Sequence, residues 1–231
     1  MKKIGNSKLK VLHLLRSDNF SGAENVACQI IDLFRDEPVE MVYCSPDGNI
    51  SQTLKANNIT FWPMKRFSIR EVQRVVREYK PDLIHAHDIS AAVAAALTAG
   101  KARIVSHMHV NHHSMRNANL RTFLYLACAM RFEHIFWVSK SSLQNYRFKN
   151  FISGKSSILY NIVDQDRIFR SAAQDSNTYD HDIIYLGRLT FQKNPTGLLR
   201  VLRLAVQEKP DIKISIVGNG DLLDEAKNLS T

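Results

Sequence analysis

Four histidines stand as two His-x-His pairs, His85/His87 and His107/His109, each closing a short apolar run. Residues i and i+2 of a strand share one face, so each pair sets two imidazoles side by side. Such pairs can ligate a metal or donate, accept and pass protons. No carboxylate or third cluster completes a ligand set here. In parallel sheets the strand carboxyl ends face the ligand crevice, where histidines gather without a metal. The four are read as crevice histidines, and no metal is expected. Further on, Arg188 ends the run Tyr185-Leu186-Gly187-Arg188 and Lys193 precedes a helix. Two cations at a crevice mouth suit a diphosphate leaving group, whose charge grows in the transition state. A third pattern, Asn19-Phe20-Ser21-Gly22-Ala23-Glu24, lies between a strand and a helix. Ser21 and Glu24 have capping-box spacing, and Gly22 allows close approach to free N–H groups that bind anions. The short Asp164-Gln165-Asp166 run has the letter of a metal site for nucleotide sugars but begins a polar stretch, and is read as capping or linker.

These residues need elements to place them. Apolar runs predict strands at Val11–Leu15, Val39–Cys44, Ile59–Met64, Asp82–His87, Arg103–His109, His134–Ser139 and Ser156–Val163. Helices are expected at about Ala23–Phe34, Gln52–Asn57, Ser68–Lys80, Ser90–Thr98 and Leu120–Phe132. Ser68 and Glu71 form a capping box, Pro81 stops that helix and Gly100 closes the alanine-rich one. Alternating strands and helices with near-continuous apolar strands predict an α/β fold, a doubly wound parallel sheet covered on both faces, over 1–163. The polar stretch 164–181 reads as a linker. Over 182–231 the pattern restarts: strand Asp182–Leu189, helix Pro195–Gln207, strand Ile212–Val217, then Gly218-Asn219-Gly220 opening another helix. Two strands and two helices are marginal as an independent unit, so this second Rossmann-like domain is expected to be incomplete or to dock on the first.

The 231 residues carry 31 Lys+Arg against 22 Asp+Glu, a net charge of +9. The excess lies in 1–163, with 22 basic and 12 acidic residues, whereas 164–231 holds 9 and 10. That asymmetry points to an anionic partner of the first part: a membrane surface, a phosphorylated substrate or a nucleic acid. Helix 68–80 carries Arg70, Arg74, Arg77 and Lys80 on one stripe, which suits an anionic lipid surface or an ordinary charged outer face. No run of 18 apolar residues exists, so no transmembrane helix is expected. The basic N-terminus is followed by only five apolar residues, Val11–Leu15, and is not read as a signal peptide. Cys28, Cys44 and Cys128, far apart and odd in number, read as reduced core thiols of a cytoplasmic protein.

Taken in order, the motifs resemble those of the family 4 glycosyltransferases, retaining enzymes of the GT-B type with two facing Rossmann-like domains. The matching runs are Ser21-Gly22-Ala23-Glu24, Pro81-Asp82-Leu83-Ile84-His85-Ala86-His87 and Ile104-Val105-Ser106-His107-Met108-His109. They continue with Val138-Ser139-Lys140-Ser141, Leu159-Tyr160-Asn161-Ile162-Val163-Asp164, Tyr185-Leu186-Gly187-Arg188-Leu189 with Gln192-Lys193-Asn194, and Ile216-Val217-Gly218-Asn219-Gly220. The resemblance implies that Arg188 and Lys193 hold the donor diphosphate and that His109 sits near the reacting sugar and acceptor. It implies that Ser21 and Gly22, with Gly218 and Gly220, lie close to the donor or acceptor. Ile162 replaces the family's usual Gly in a turn, and the family's Glu-x7-Glu element lies beyond this chain's reach, so the chain alone is expected to transfer no sugar.

The function implied is transfer of a sugar from a nucleoside diphosphate sugar to a glycan or lipid-linked acceptor in surface polysaccharide biosynthesis. It needs no cofactor beyond that donor and no nucleic acid, on the inner face of a membrane or free in the cytoplasm. Two other readings fit the same residues: a non-catalytic acceptor- or membrane-binding domain, and a nucleotide-sugar isomerase of the same architecture.

Overall fold

The structure, a computed structural model, describes residues 8–110 and 113–230. The basic N-terminal run at 1–7 lies outside them. The chain divides into two compact units, Met1–Val163 and Asp164–Thr231.

In the first unit, β1 (Leu9–Leu14) leads through α1 (Gly22–Leu33) to β2 (Val39–Cys44). Two helices, α2 (Ile50–Ala56) and α3 (Ile69–Tyr79), precede β3 (Leu83–His87). Then follow α4 (Asp88–Thr98), β4 (Arg103–Met108), α5 (Leu120–Ala129) and β5 (His134–Trp137). Two short helices, α6 (Lys140–Gln144) and α7 (Lys149–Ile152), lead to β6 (Ser156–Ile158). All six strands run parallel in the order β2-β1-β3-β4-β5-β6.

The expected strand at 59–64 is not one. Only isolated bridges, Tyr43 to Phe61 and Pro46 to Met64, hold that segment beside β2. Pro46 and Pro63 lack the N–H a ladder needs, so pairing stops after single contacts. The last strand is also shorter than expected, ending at Ile158, with Leu159–Val163 exposed beyond it.

One sheet face presents Leu12, Leu14, Ile84, Ala86, Ile104 and Trp137 to α3, α4 and α5, and this layer is the main core. The alanines of α4 let that helix lie close to the strands. On the other face α1 and α2 pack over Leu15, Tyr43 and Ile59 near the β1–β2 edge. The rest of that face is not covered on the scale expected. An apolar groove of about 510 Å3 runs over it, lined among others by Val26 and Ile30 of α1, His13, His85, His107 and Phe136. The three cysteines are buried free thiols.

The helix signals act as the chemistry predicts, with two corrections. Ser68 Oγ accepts the Glu71 N–H, but the Glu71 carboxylate turns to Arg74 and the Lys65 N–H instead of closing the box. Ser21 does not cap α1 through its side chain; its hydroxyl donates to the Glu24 carboxylate.

In the second unit, α8 (Gln165–Gln174) occupies the stretch read as a linker. β7 (Ile183–Leu186) and β8 (Ile214–Val217) form a parallel pair connected through α9 (Pro195–Glu208), and α10 (Leu223–Ser230) packs on α9. Ile184 and Leu186, on the opposite side of β7 from Ile183 and Tyr185, are exposed.

Candidate active site

From β1 the chain leaves to β2 on one side, and β3 pairs with β1 on the other. Strand order reverses there, which is where open α/β sheets bind ligands. A cavity of about 400 Å3 opens at that point, between the residues that follow β1 and those that follow β3. Its polar lining comprises Arg16, Ser17, Glu24, His87, Asp88, Ser90 and Arg121. Two cations and two carboxylates around one imidazole can bind a polar ligand and exchange a proton with it.

Asp88 is held in an unusual state. It opens α4 in the left-handed region at φ 65°, a conformation that costs a non-glycine residue on the order of 1 kcal/mol or more. Its Oδ1 accepts the backbone N–H of His109 at 2.9 Å, which ties the end of β3 to the end of β4. Burial pushes its carboxyl up to about 6, with the N–H bonds from His109 and Val110 acting the other way.

Five histidines share the α1 side of the sheet. His13 of β1, His85 and His87 of β3, and His107 of β4 are buried, and His109 follows β4 half-buried. Register sets His13 beside His85 and His87 beside His107. His13 Nδ1 lies 3.1 Å from His87 Nε2, and His87 Nδ1 lies 2.8 Å from His109 Nε2. Burial, then the neighbouring imidazole of His107, lowers His13 and His109 from the ordinary 6.5 to about 3. Burial alone lowers His107 to about 4. His85 and His87 are held well below 6.5 by burial and then by the surrounding imidazoles. All five are neutral at pH 7.

Two triplets, His13/His85/His87 and His87/His107/His109, bring ligand atoms within 4.8 Å. In both, a ring nitrogen of His87 is engaged with a neighbouring imidazole at hydrogen-bond distance rather than directed at a shared centre.

The expected site residues fall into separate places. His109 sits behind His87, one hydrogen bond from the cavity lining. Ser21 and Gly22 are exposed at the start of α1, beside the cavity that Ala23 and Glu24 line, and a side chain at Gly22 would meet nothing within 4 Å. In the second unit, Arg188 follows β7 and Lys193 ends a 3-10 turn, Phe191–Lys193. Both are exposed, and neither is ion-paired among the described residues. Asn194, at φ 48°, then starts α9 by accepting the Gly197 N–H. The loops after β7 and β8 zip together through Gly187 N–H to Val217 O and Leu189 N–H to Asn219 O. A Cβ on Gly218 would lie 1.8 Å from the Gly187 carbonyl oxygen, and one on Gly220 2.3 Å from that of Leu189. Glycine at both positions therefore serves the loop contact that fixes the backbone of Arg188.

Sequence reasoning missed Arg16, Asp88, Arg121 and the partnership of His13. Arg16 and Asp88 immediately follow apolar runs, the same signal that marked His87. A histidine inside Val11–Leu15 was a signal too, whereas Arg121 arrives from α5 and left none.

A doubly wound unit with its cavity at the switch point, followed by a second unit restarting on a parallel pair, is the architecture of GT-B glycosyltransferases. Residues 20–167 match the model of Glycosyltransferase Family 4, and residues 166–231 match that of Glycosyl transferases group 1. The chain belongs to glycosyltransferase family 4. It is similar to HepE of Anabaena, solved in complex with UDP, at a TM-score of 0.72 and 19% identity over 96% of this chain and 64% of HepE. An uncharacterized glycosyltransferase of Methanocaldococcus jannaschii is 22% identical over 202 residues, 76% of this chain and 48% of that protein. The N-acetylgalactosamine-N,N'-diacetylbacillosaminyl-diphospho-undecaprenol 4-alpha-N-acetylgalactosaminyltransferase of Campylobacter jejuni is 34% identical over 122 residues, 52% of this chain and 32% of that protein. The chain spans half or less of the length of these two relatives and just under two thirds of HepE.

Proposed function

We propose that the chain carries the acceptor-side unit, and the opening of the donor-side unit, of a retaining glycosyltransferase. The enzyme moves a sugar from a nucleoside diphosphate sugar to a lipid-linked glycan in surface polysaccharide assembly. The observation that carries this reading is the polar cavity at the β1–β3 switch point, in a chain of this family. HepE's complex with UDP supports a uridine nucleotide as donor, and the Campylobacter relative's diphospho-undecaprenol acceptor supports a lipid-linked one. Arg188 and Lys193 neutralise the departing diphosphate, and Gly218 and Gly220 hold the backbone that carries Arg188. His109 meets the sugar and acceptor. The basic first unit, led by α3, rests on the anionic membrane that holds the acceptor.

Because the chain spans part of its relatives' length, binding is its test. Calorimetric titration should show UDP binding, with UDP-sugar bound about as well, since the diphosphate supplies the contacts. Arg188→Ala and Lys193→Ala should each weaken UDP by roughly tenfold, the scale of one charge-assisted contact. UDP affinity unchanged in both variants would remove the diphosphate role.

A further inference from the structure

Three of the five histidines form a line. In the pairs His13/His87 and His87/His109 the ring planes differ by 27° and 17°, and the centroids lie 5.4 and 5.0 Å apart. Each separation exceeds its N···N distance, 3.1 and 2.8 Å, by about two ring radii. The rings therefore lie end to end and nearly coplanar, joined by in-plane hydrogen bonds. At the two ends, His13 Nε2 and His109 Nδ1 are buried without a partner among the described residues.

A neutral imidazole carries one proton on one of its two nitrogens. His87 spends both nitrogens on its neighbours, so it donates to one and accepts from the other. Only two arrangements keep both bonds. If His87 donates from Nδ1 it accepts at Nε2, so His13 is protonated at Nδ1 and His109, accepting at Nε2, carries its proton at Nδ1. If His87 donates from Nε2, His109 must donate from Nε2 and His13 accepts at Nδ1. Every mixed pattern sets two lone pairs or two N–H groups against each other in a buried place, which costs about 1–3 kcal/mol.

We propose that His13 and His87 are positioning residues that set the tautomer of His109: the three rings share one tautomer, and the chain decides whether His109 offers an N–H or a lone pair at Nδ1. Burial supports this by keeping all three rings neutral at pH 7. The functional weight rests on the proposed role of His109 at the sugar. Whether Nδ1 of His109 is a donor or an acceptor is thereby coupled to the tautomer of His13, which lies in the groove on the α1 side.

The test is nitrogen NMR on the full 15N-labelled 231-residue chain at pH 7, independent of nucleotide binding. Proton–nitrogen correlations report each ring's tautomer, and couplings across N–H···N bonds report the pairings. Couplings should link His13 Nδ1 to His87 Nε2 and His87 Nδ1 to His109 Nε2, with all three rings in the same tautomer. His13→Phe should lose the first coupling and keep the second. His87→Phe should lose both, and the two His109 nitrogens should move from one protonated and one bare toward averaged values. Mixed tautomers in the unsubstituted chain, or His109 signals unchanged in folded His87→Phe, would overturn the proposal. If His87→Phe does not fold, the unsubstituted chain and His13→Phe decide it. Added Zn2+ shifting His87, His107 and His109 together would also overturn it, by assigning these nitrogens to a metal. Failure of the UDP titration leaves these couplings untouched, and their absence leaves UDP binding untouched.

Discussion

At neutral pH none of the five histidines on the α1 side of the sheet carries a second, charging proton, and lowering the pH works against the fold for that reason. Unfolding returns each imidazole to its ordinary 6.5, whereas the folded values are about 3 for His13 and His109, about 4 for His107, and well below 6.5 for His85 and His87. Below pH 6.5 the unfolded chain therefore takes up protons that the folded chain refuses. The stability is whole above pH 6.5 and is lost as pH falls toward the folded values. Asp88 works against this in part: its carboxyl, raised to about 6, makes the folded chain the better proton binder between about pH 4 and 6. Five groups oppose one, at roughly 1.4 kcal/mol per pH unit for each net proton. Urea midpoints should collapse between pH 6.5 and 5, and His13→Phe should lessen the slope by about one proton. A midpoint flat across that range would show that the imidazoles titrate freely in the folded chain. That each His-x-His pair shares one face was legible from strand spacing alone, but of the four only His87 lines the cavity, while His85 and His107 line the groove on the α1 side. The end-to-end pairing was not legible, since it depends on the register between β1, β3 and β4 and on His13, which reads in sequence as one polar residue in an apolar strand.

At the scale of elements, glycines of the two units answer to different constraints. A methyl on Gly218 would run into the backbone oxygen of Gly187, which no side-chain rotation relieves. Gly218→Ala should cost about 1–3 kcal/mol, as overpacking does, and should speed amide exchange at Gly187 and Leu189 in the second unit. Retained protection there would mean that the loops part without penalty. Gly22→Ala meets open space at a helix start and should leave stability unchanged or raise it by about 0.4–1 kcal/mol. Most helices and the central strands were legible, because apolar periodicity and turn residues act locally. The failures came where a local signal met a tertiary one. Segment 59–64 has strand composition but sits at an edge with prolines, and 164–181 is polar yet holds α8, whose described side chains lie exposed.

For the whole molecule, no helix among the described residues is long and apolar enough to cross a membrane. The stripe on α3 is weaker than its composition promised. Arg74 is paired with Glu71 at 3.1 Å and Glu78 at 2.8 Å, leaving Arg70, Arg77 and Lys80 as its outward charge. The chain should float with anionic vesicles at low salt and be released at high salt. Arg70→Gln and Arg77→Gln should each weaken binding roughly fivefold, near 1 kcal/mol per basic residue, and Arg74→Gln should change it less. Equal losses from all three would mean that the ion pairs open at the surface.

The strand order has a consequence for how the cavity comes into being. His13 and His87 are 74 residues apart in sequence, and His87 and His109 are 22 apart. Nothing local joins the two sides of the cavity, and Arg16 and Asp88 become neighbours only when β3 closes on β1. That closure follows the β2 crossover and the whole of α3, so its entropy is spent before the site returns any contact. A ribosome-bound chain whose first eighty residues have emerged holds β1, β2, α1, α2 and α3 but no cavity. The site is a property of long-range closure, which makes it among the slower features to form and ties its existence to the integrity of the sheet's centre.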